Sequence, residues 1–155
     1  MKTNDCPRMD VSKLGSILSS ARQGSEPELD FVTNELSDVV EHRPEAGKIV
    51  EDFLAKSEDN LDHMLFVSCA RFVVQASGCR TTRLTYLTKL LRRYPSVTTI
   101  LFALDCADMF DLQGQEVLAT EILCAKRALG PVKRFLIGLD GRMPVGKCDL
   151  HRKKG

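Results

Sequence analysis

Residues 45–56, EAGKIVEDFLAK, carry the clearest helical pattern in the chain. Their apolar members stand at positions i, i+3, i+4, i+7 and i+8, which lie along one face of a helix with 3.6 residues per turn. Those members are Ala46, Ile49, Val50, Phe53 and Leu54. The stretch therefore predicts an amphipathic helix whose apolar face packs into a core.

Similar spacing on both sides of this stretch predicts eight helices in all. Proline and glycine mark most of their ends, because proline disfavours helix at the residue before it and fits the first helical turn. The residues 97–103 also favour a strand, so a short buried strand is the competing interpretation there. The predicted helices run from Asp10 to Gly24, from Glu26 to Arg43, and over about 45–56, 58–77 (capped by Ser57), 81–94, 96–109, 115–129 and 132–139.

Length and composition fit one all-α domain. The chain has 155 residues, of which 43% are hydrophobic and 28% charged, enough for a core and too apolar for a disordered chain. Short links make sequential helices antiparallel neighbours. We expect a polar lead-in at 1–9, a single helical domain at 10–139, and a basic, mobile tail at 140–155, where glycine, proline and lysine accumulate.

A shift of 36 residues aligns part of the chain with itself. Leu54, Leu65, Phe66 and Gly78 then meet Leu90, Leu101, Phe102 and Gly114, and Pro95 meets Pro131. Such a period is typical of stacked helical hairpins, each too small to bury its own apolar face. In this respect residues 53–139 resemble an armadillo or HEAT-type α-solenoid fragment. The alternative is a compact helix bundle without a repeat.

The first residues and the cysteines predict the compartment. Residues 1–20 carry Asp5, Asp10 and Lys13 and lack the apolar core of a secretory signal, and no apolar run approaches the roughly 20 residues of a membrane span. The six cysteines, at 6, 69, 79, 106, 124 and 148, include no Cys-x-x-Cys pair. We therefore expect reduced, mostly buried thiols, no membrane contact, and a cytoplasmic or alternatively nuclear protein.

Charge is segregated along the chain although the net charge is only +1. The segment 25–62 has 12 acidic and 3 basic residues, whereas 63–104 has 6 basic residues and no acidic one. A nucleic-acid surface needs several lysines and arginines on one face. The candidates for contact with a partner or with nucleic acid are Arg80, Arg83, Lys89, Arg92, Arg93, Lys126, Arg127, Lys133 and Arg134. The competing interpretation is that these basic residues lie on solvated helix faces, or that their helices pack against the acidic helices.

No motif in the sequence predicts catalysis, a cofactor or a metal. Cys148 and His151 form one isolated pair, and His63 and Cys69 are rotated away from each other on a predicted helix. Cys69, Cys106 and Cys124 are interpreted as buried packing residues. Asp105 and Asp108 interrupt an apolar helix. They are interpreted as its solvent-facing edge, or as partners of an arginine or a cation.

These observations favour a binding protein rather than an enzyme. We expect an adaptor or regulatory domain that binds a peptide or protein through a helical surface, mainly the exposed faces of the helices predicted at 81–94 and 115–129. The alternative is a nucleic-acid-binding domain that uses the basic helices 80–93 and 126–134 and the basic tail. A homodimer would cover any apolar helix that the fold leaves exposed.

Overall fold

The computed structural model describes residues 10–146, apart from the side chain of Glu58. Within these residues the chain forms nine α-helices and no strand, which confirms the predicted all-α class. Two short 3-10 turns, Val11–Lys13 and Glu58–Asn60, precede α1 and follow α4. The helices are α1 (Leu14–Arg22), α2 (Glu26–Asn34), α3 (Leu36–Val39), α4 (Pro44–Ser57), α5 (His63–Ala76), α6 (Arg80–Arg93), α7 (Val97–Met109), α8 (Glu116–Arg127) and α9 (Pro131–Gly138).

The stretch that also favoured a strand lies in α7. Ser96 caps this helix, since its Oγ accepts a hydrogen bond from the Thr99 amide at 3.1 Å. The cap satisfies an amide that would otherwise lack a partner in the first turn. Ile100 and Ala103 are then fully buried. The helical interpretation of residues 97–103 is therefore confirmed.

Two of the predicted helices have different limits. The helix predicted from Glu26 to Arg43 is divided into α2 and α3, with Glu35 between them, and the chain becomes extended at Val40. The helix predicted from residue 58 begins instead at His63, because Asp62 is the cap: its Oδ1 accepts the Met64 amide at 2.9 Å. Ser57 is buried and makes no side-chain cap hydrogen bond, so its predicted role was wrong.

The contacts divide the described residues into two compact units, one ending at Tyr86 and the other starting at Leu87. In the first unit α4 packs along α5, α1 packs on α2 and α4, and α2 packs on α5. Gly47 lets α4 and α5 approach closely, because a Cβ there would lie 3.1 Å from the Ala76 Cβ. The ring of Phe72, which is fully buried, meets His42 edge-on with centroids 5.2 Å apart.

In the second unit α7 packs on α8, and α8 contacts α9. Leu104, Leu118 and Ile122 are buried where α7 and α8 meet. Arg92, at the end of α6, binds the buried carboxylate of Glu121 on α8, with 2.7 Å from Nε to Oε1. A buried carboxylate needs such a partner, since its desolvation would otherwise be costly.

The helix starts follow a regular spacing. Helices α4, α6 and α8 start at residues 44, 80 and 116, so successive starts are 36 residues apart. Helices α5, α7 and α9 start at 63, 97 and 131, which are 34 residues apart. This order is compatible with a helical solenoid, whose repeats are helical hairpins of similar length. The domain limits expected at residues 9, 139 and 155 stay predictions.

Candidate binding surface

Helix α9 presents an apolar stripe to solvent. Val132, Phe135, Leu136 and Leu139 stand at i, i+3, i+4 and i+7, and they are 72%, 68%, 57% and 68% exposed. Ile137 is buried and anchors the helix. Four large apolar side chains in one row are more than the single exposed apolar residues that are ordinary on a protein surface. We call these four residues the α9 stripe.

Local sequence holds α9 in place. Gly130 lies at its N-cap and Pro131 in its first turn, where the missing proline amide costs no hydrogen bond. The guanidinium of Arg134 donates from Nη2 to the backbone oxygens of Arg127 and Leu129, both at 3.0 Å. It therefore satisfies carbonyl groups at and just beyond the end of α8 and fixes the turn between the two helices.

A shallow groove of about 400 Å³ lies beside the stripe. Phe135 and Leu139 line it together with Lys126 and Arg134, and Pro131 and Gly138 complete the lining. Lys126 reaches along Gly138, because a Cβ at Gly138 would lie 3.3 Å from the lysine Nζ. The groove thus combines an apolar wall with two cationic side chains, a combination that suits a segment with both apolar and acidic residues.

Several of the basic candidates make structural contacts. Arg83 donates from Nε to the Val74 carbonyl at 3.0 Å, Arg92 binds Glu121, and Arg134 caps α8. The pKa of Arg92 is raised, chiefly by its hydrogen bond to the Glu121 carboxylate. These arginines therefore have a role within the fold: Arg92 pairs with an acidic residue, whereas Arg83 and Arg134 bind backbone carbonyls.

The remaining candidates are divided between the two units. Arg80 is exposed in the first unit, and Arg93, Arg127 and Lys133 are exposed in the second. Lys89 and Lys126 are half-buried. The contacts of Arg134 and Lys126 join the end of α8 to helix α9, and these two cationic side chains lie beside Phe135 and Leu139 of the α9 stripe.

Asp105 and Asp108 of α7 bind an arginine, one of the two partners expected from sequence. Arg142 Nη1 lies 2.5 Å from Asp105 Oδ1 and 3.6 Å from Asp108 Oδ2, and its Nη2 lies 2.9 Å from Asp140 Oδ2. The hydrogen bonds from Arg142 lower the pKa of Asp140, and the carboxylates raise the pKa of Arg142. These contacts hold residues 140–142, the start of the predicted tail, against α7. Residues 147–155 lie outside the described part.

The cysteines differ in their surroundings. Cys69 and Cys106 are buried thiols, as predicted, and burial raises the pKa of Cys69 far above its ordinary value. Cys79 is exposed, and hydrogen bonds from the Thr82 and Thr81 backbone amides lower its pKa. Cys124 is disulfide-bonded, so its interpretation as a reduced packing residue was wrong. The expectation of a reducing compartment loses that support and stays a prediction.

The Cys148 and His151 pair lies outside the described residues. Among residues 10–146, no three histidine, cysteine or acidic side chains come together in a group that could hold a metal ion. Within the same residues, no helix has the length and apolar character to cross a membrane.

Sequence reasoning missed the α9 stripe as a site. The periodicity of residues 132–139 predicted the helix, but the contact surface was expected on the helices at 81–94 and 115–129. The same residues carried a signal of this exposure. Lys133 and Arg134 are the two polar side chains of residues 132–139, which are too few to cover the solvent-facing side of the helix. No family model, no curated protein and no solved structure matches the chain.

Proposed function

We propose that this chain is a non-enzymatic helical interaction module that binds a protein or peptide through the α9 stripe. The observation that carries the proposal is the row of four large apolar side chains, each more than half exposed, on a helix anchored to α8. Exposed apolar area of this kind is typical of protein-binding surfaces, because a partner removes it from water.

The repeated spacing of helix starts adds to the proposal. Helical-hairpin arrays stack units of similar length, and each hairpin covers the apolar faces of its neighbours. Within the described residues, helix α9 keeps an apolar outer face. We therefore propose an armadillo- or HEAT-like arrangement in which the α9 stripe is left for a partner.

The nucleic-acid alternative has less support. Arg83, Arg92 and Arg134 make contacts within the chain, which reduces the set of cations on which that alternative depends. Steep salt dependence is the mark of phosphate binding, since each contact releases a counterion. Nuclease sensitivity and salt dependence therefore distinguish the two functions in one experiment.

The test is quantitative affinity purification of the tagged full chain, with and without nuclease and over a salt gradient. Phe135→Glu places a charge in the α9 stripe, and Val117→Glu places the same charge at an exposed apolar residue of α8. We expect partner proteins that survive nuclease to be lost with Phe135→Glu and kept with Val117→Glu. Equal recovery with both variants would contradict the proposal, and loss with nuclease alone would favour nucleic acid.

A further inference from the structure

The charges around the α9 stripe indicate the chemistry of its partner. We infer that the stripe binds an amphipathic helical segment of another protein, with acidic residues flanking its apolar side chains. This inference rests on the proposed function and adds the class of partner to it.

The first argument is the one-sided charge of the surroundings. Residues 126–139 contain four basic residues, Lys126, Arg127, Lys133 and Arg134, and no acidic residue. Two of them, Lys126 and Arg134, line the groove beside Phe135 and Leu139. A carboxylate on a docked segment would meet the Lys126 ammonium in this groove, beside the Arg134 guanidinium that caps α8.

The second argument is that nearby carboxylates already have partners. Asp105, Asp108 and Asp140 share Arg142, and the buried Glu121 binds Arg92. These carboxylates are largely neutralised within the second unit. The cations of residues 126–134 therefore shape the local potential that an approaching segment meets.

The third argument is the shape of the stripe. Its residues cover two helical turns at i, i+3, i+4 and i+7, so a straight partner helix with apolar residues at the same spacing can lie along it. A partner of this kind buries Phe135, an aromatic anchor of the type that dominates binding energy at interfaces. Acidic residues beside the partner's apolar row would then reach the basic rim of the groove, which Lys126 and Arg134 form.

Two other occupants of the α9 stripe, a second copy of this chain and an anionic membrane, fit the surrounding charges less well. A symmetric pair of α9 helices from two copies would bring two identical basic rims together, and like charges at an interface oppose association. An anionic membrane would satisfy the same cations and the same apolar row. However, a membrane-surface helix needs its cations at the polar edge in water, whereas the Arg134 guanidinium is bound to the carbonyls of α8.

The experiment is a selection from random peptides of about 16 residues displayed on phage, with the folded full chain as bait. Three baits are compared: the wild type, Phe135→Glu, and the double variant Lys126→Glu/Lys133→Glu. Each substituted side chain is exposed or half-buried, and circular dichroism checks that each variant folds. Phosphatidylserine vesicles and analytical ultracentrifugation measure membrane binding and self-association in parallel.

We expect peptides that need Phe135 to carry apolar residues at helical spacing and an excess of acidic over basic residues of at least about threefold. The double variant should lose this excess. Peptides that need Phe135 but show no acidic excess would overturn the inference and leave the proposed function standing. Phe135-dependent binding to vesicles or to a second copy, in place of peptides, would also overturn the inference. If no Phe135-dependent peptide is selected, this result would overturn the inference and count against the proposed function as well.

Discussion

Helices α5 and α9 are both rich in large apolar residues, but the fold uses them differently. On α5 the buried set is Leu65, Phe66, Cys69, Ala70, Phe72, Val73, Val74 and Ala76. On α9 the side chain of Ile137 is buried, while the four residues of the α9 stripe are exposed. Both helices therefore have apolar residues at helical spacing. On α5 these residues are mostly buried, whereas on α9 they are mostly exposed.

The difference shows what apolar spacing does and does not determine. A stripe at 3.6-residue spacing predicts a helix, because it creates one apolar face. Whether that face lies in the core depends on which other elements cover it. Helices α2 and α4 pack on α5, whereas α9 contacts α8 and keeps its apolar row exposed. We interpret α5 as structural and α9 as a binding element.

The largest predicted effect separates two phenylalanines. Phe72→Ala should lower the free energy of unfolding by about 3–5 kcal/mol, because Phe72 is fully buried and its loss leaves a cavity. Phe135→Ala should change it by about 0.5 kcal/mol or less, because the ring is already largely in water. Urea unfolding followed by circular dichroism measures both, and similar losses would mean that α9 is part of the core.

The second prediction concerns the contact between α4 and α5. Gly47→Val should cost about 2–3 kcal/mol, because the added carbons would meet both the side chain and the backbone of Ala76. The control is Gly15→Ala, where no atom lies within 4 Å of the new Cβ. It should raise stability by about 0.5 kcal/mol, through a less flexible unfolded chain. If Gly47→Val is neutral, then α4 and α5 do not pack as closely as described.

The third prediction concerns the ion pair between Arg92 and Glu121 in the second unit. Arg92→Met should cost about 1–2 kcal/mol, because it leaves the Glu121 carboxylate without its partner. The expected loss is below that of a fully buried pair, since the Arg92 side chain is 62% exposed and the Glu121 side chain 4% exposed. The double variant Arg92→Met/Glu121→Leu should recover most of it. A double variant less stable than Arg92→Met would contradict this account.

Much of the fold could be predicted from the sequence, because caps, breakers and apolar spacing act locally. Pro44 and Pro131 lie at the starts of α4 and α9, and Pro95 lies between α6 and α7, as the sequence predicted. The break at Glu35 was missed, because no proline or glycine marks it.

The candidate site was harder to predict. Ion pairs between distant residues, such as Arg142 with Asp105, depend on tertiary contacts that no local pattern encodes. The exposure of the α9 stripe likewise depends on which neighbours the helix has. The basic residues at 126–134 stay candidates for contact, and their role at the α9 stripe is a proposal.

The smallest predicted effect is a pH dependence at the start of the predicted tail. The pKa of Asp140 lies below its ordinary value of 3.8 because Arg142 donates hydrogen bonds to the carboxylate. This contact should therefore stabilise the fold fully above about pH 4 and be lost as pH falls through the lowered pKa. In Arg142→Gln, an NMR titration should show the Asp140 pKa moving upward, and an unchanged pKa would contradict the contact.

The most direct test of the central claim is hydroxyl-radical footprinting of side chains in the isolated full chain. The account predicts strong labelling of Phe135, Leu136 and Leu139, little labelling of Phe72 and Leu65, and protection of the α9 stripe when a peptide selected by the wild type is added. If the stripe is labelled as weakly as α5 in the chain alone, or remains labelled with the peptide bound, then α9 is not the binding surface.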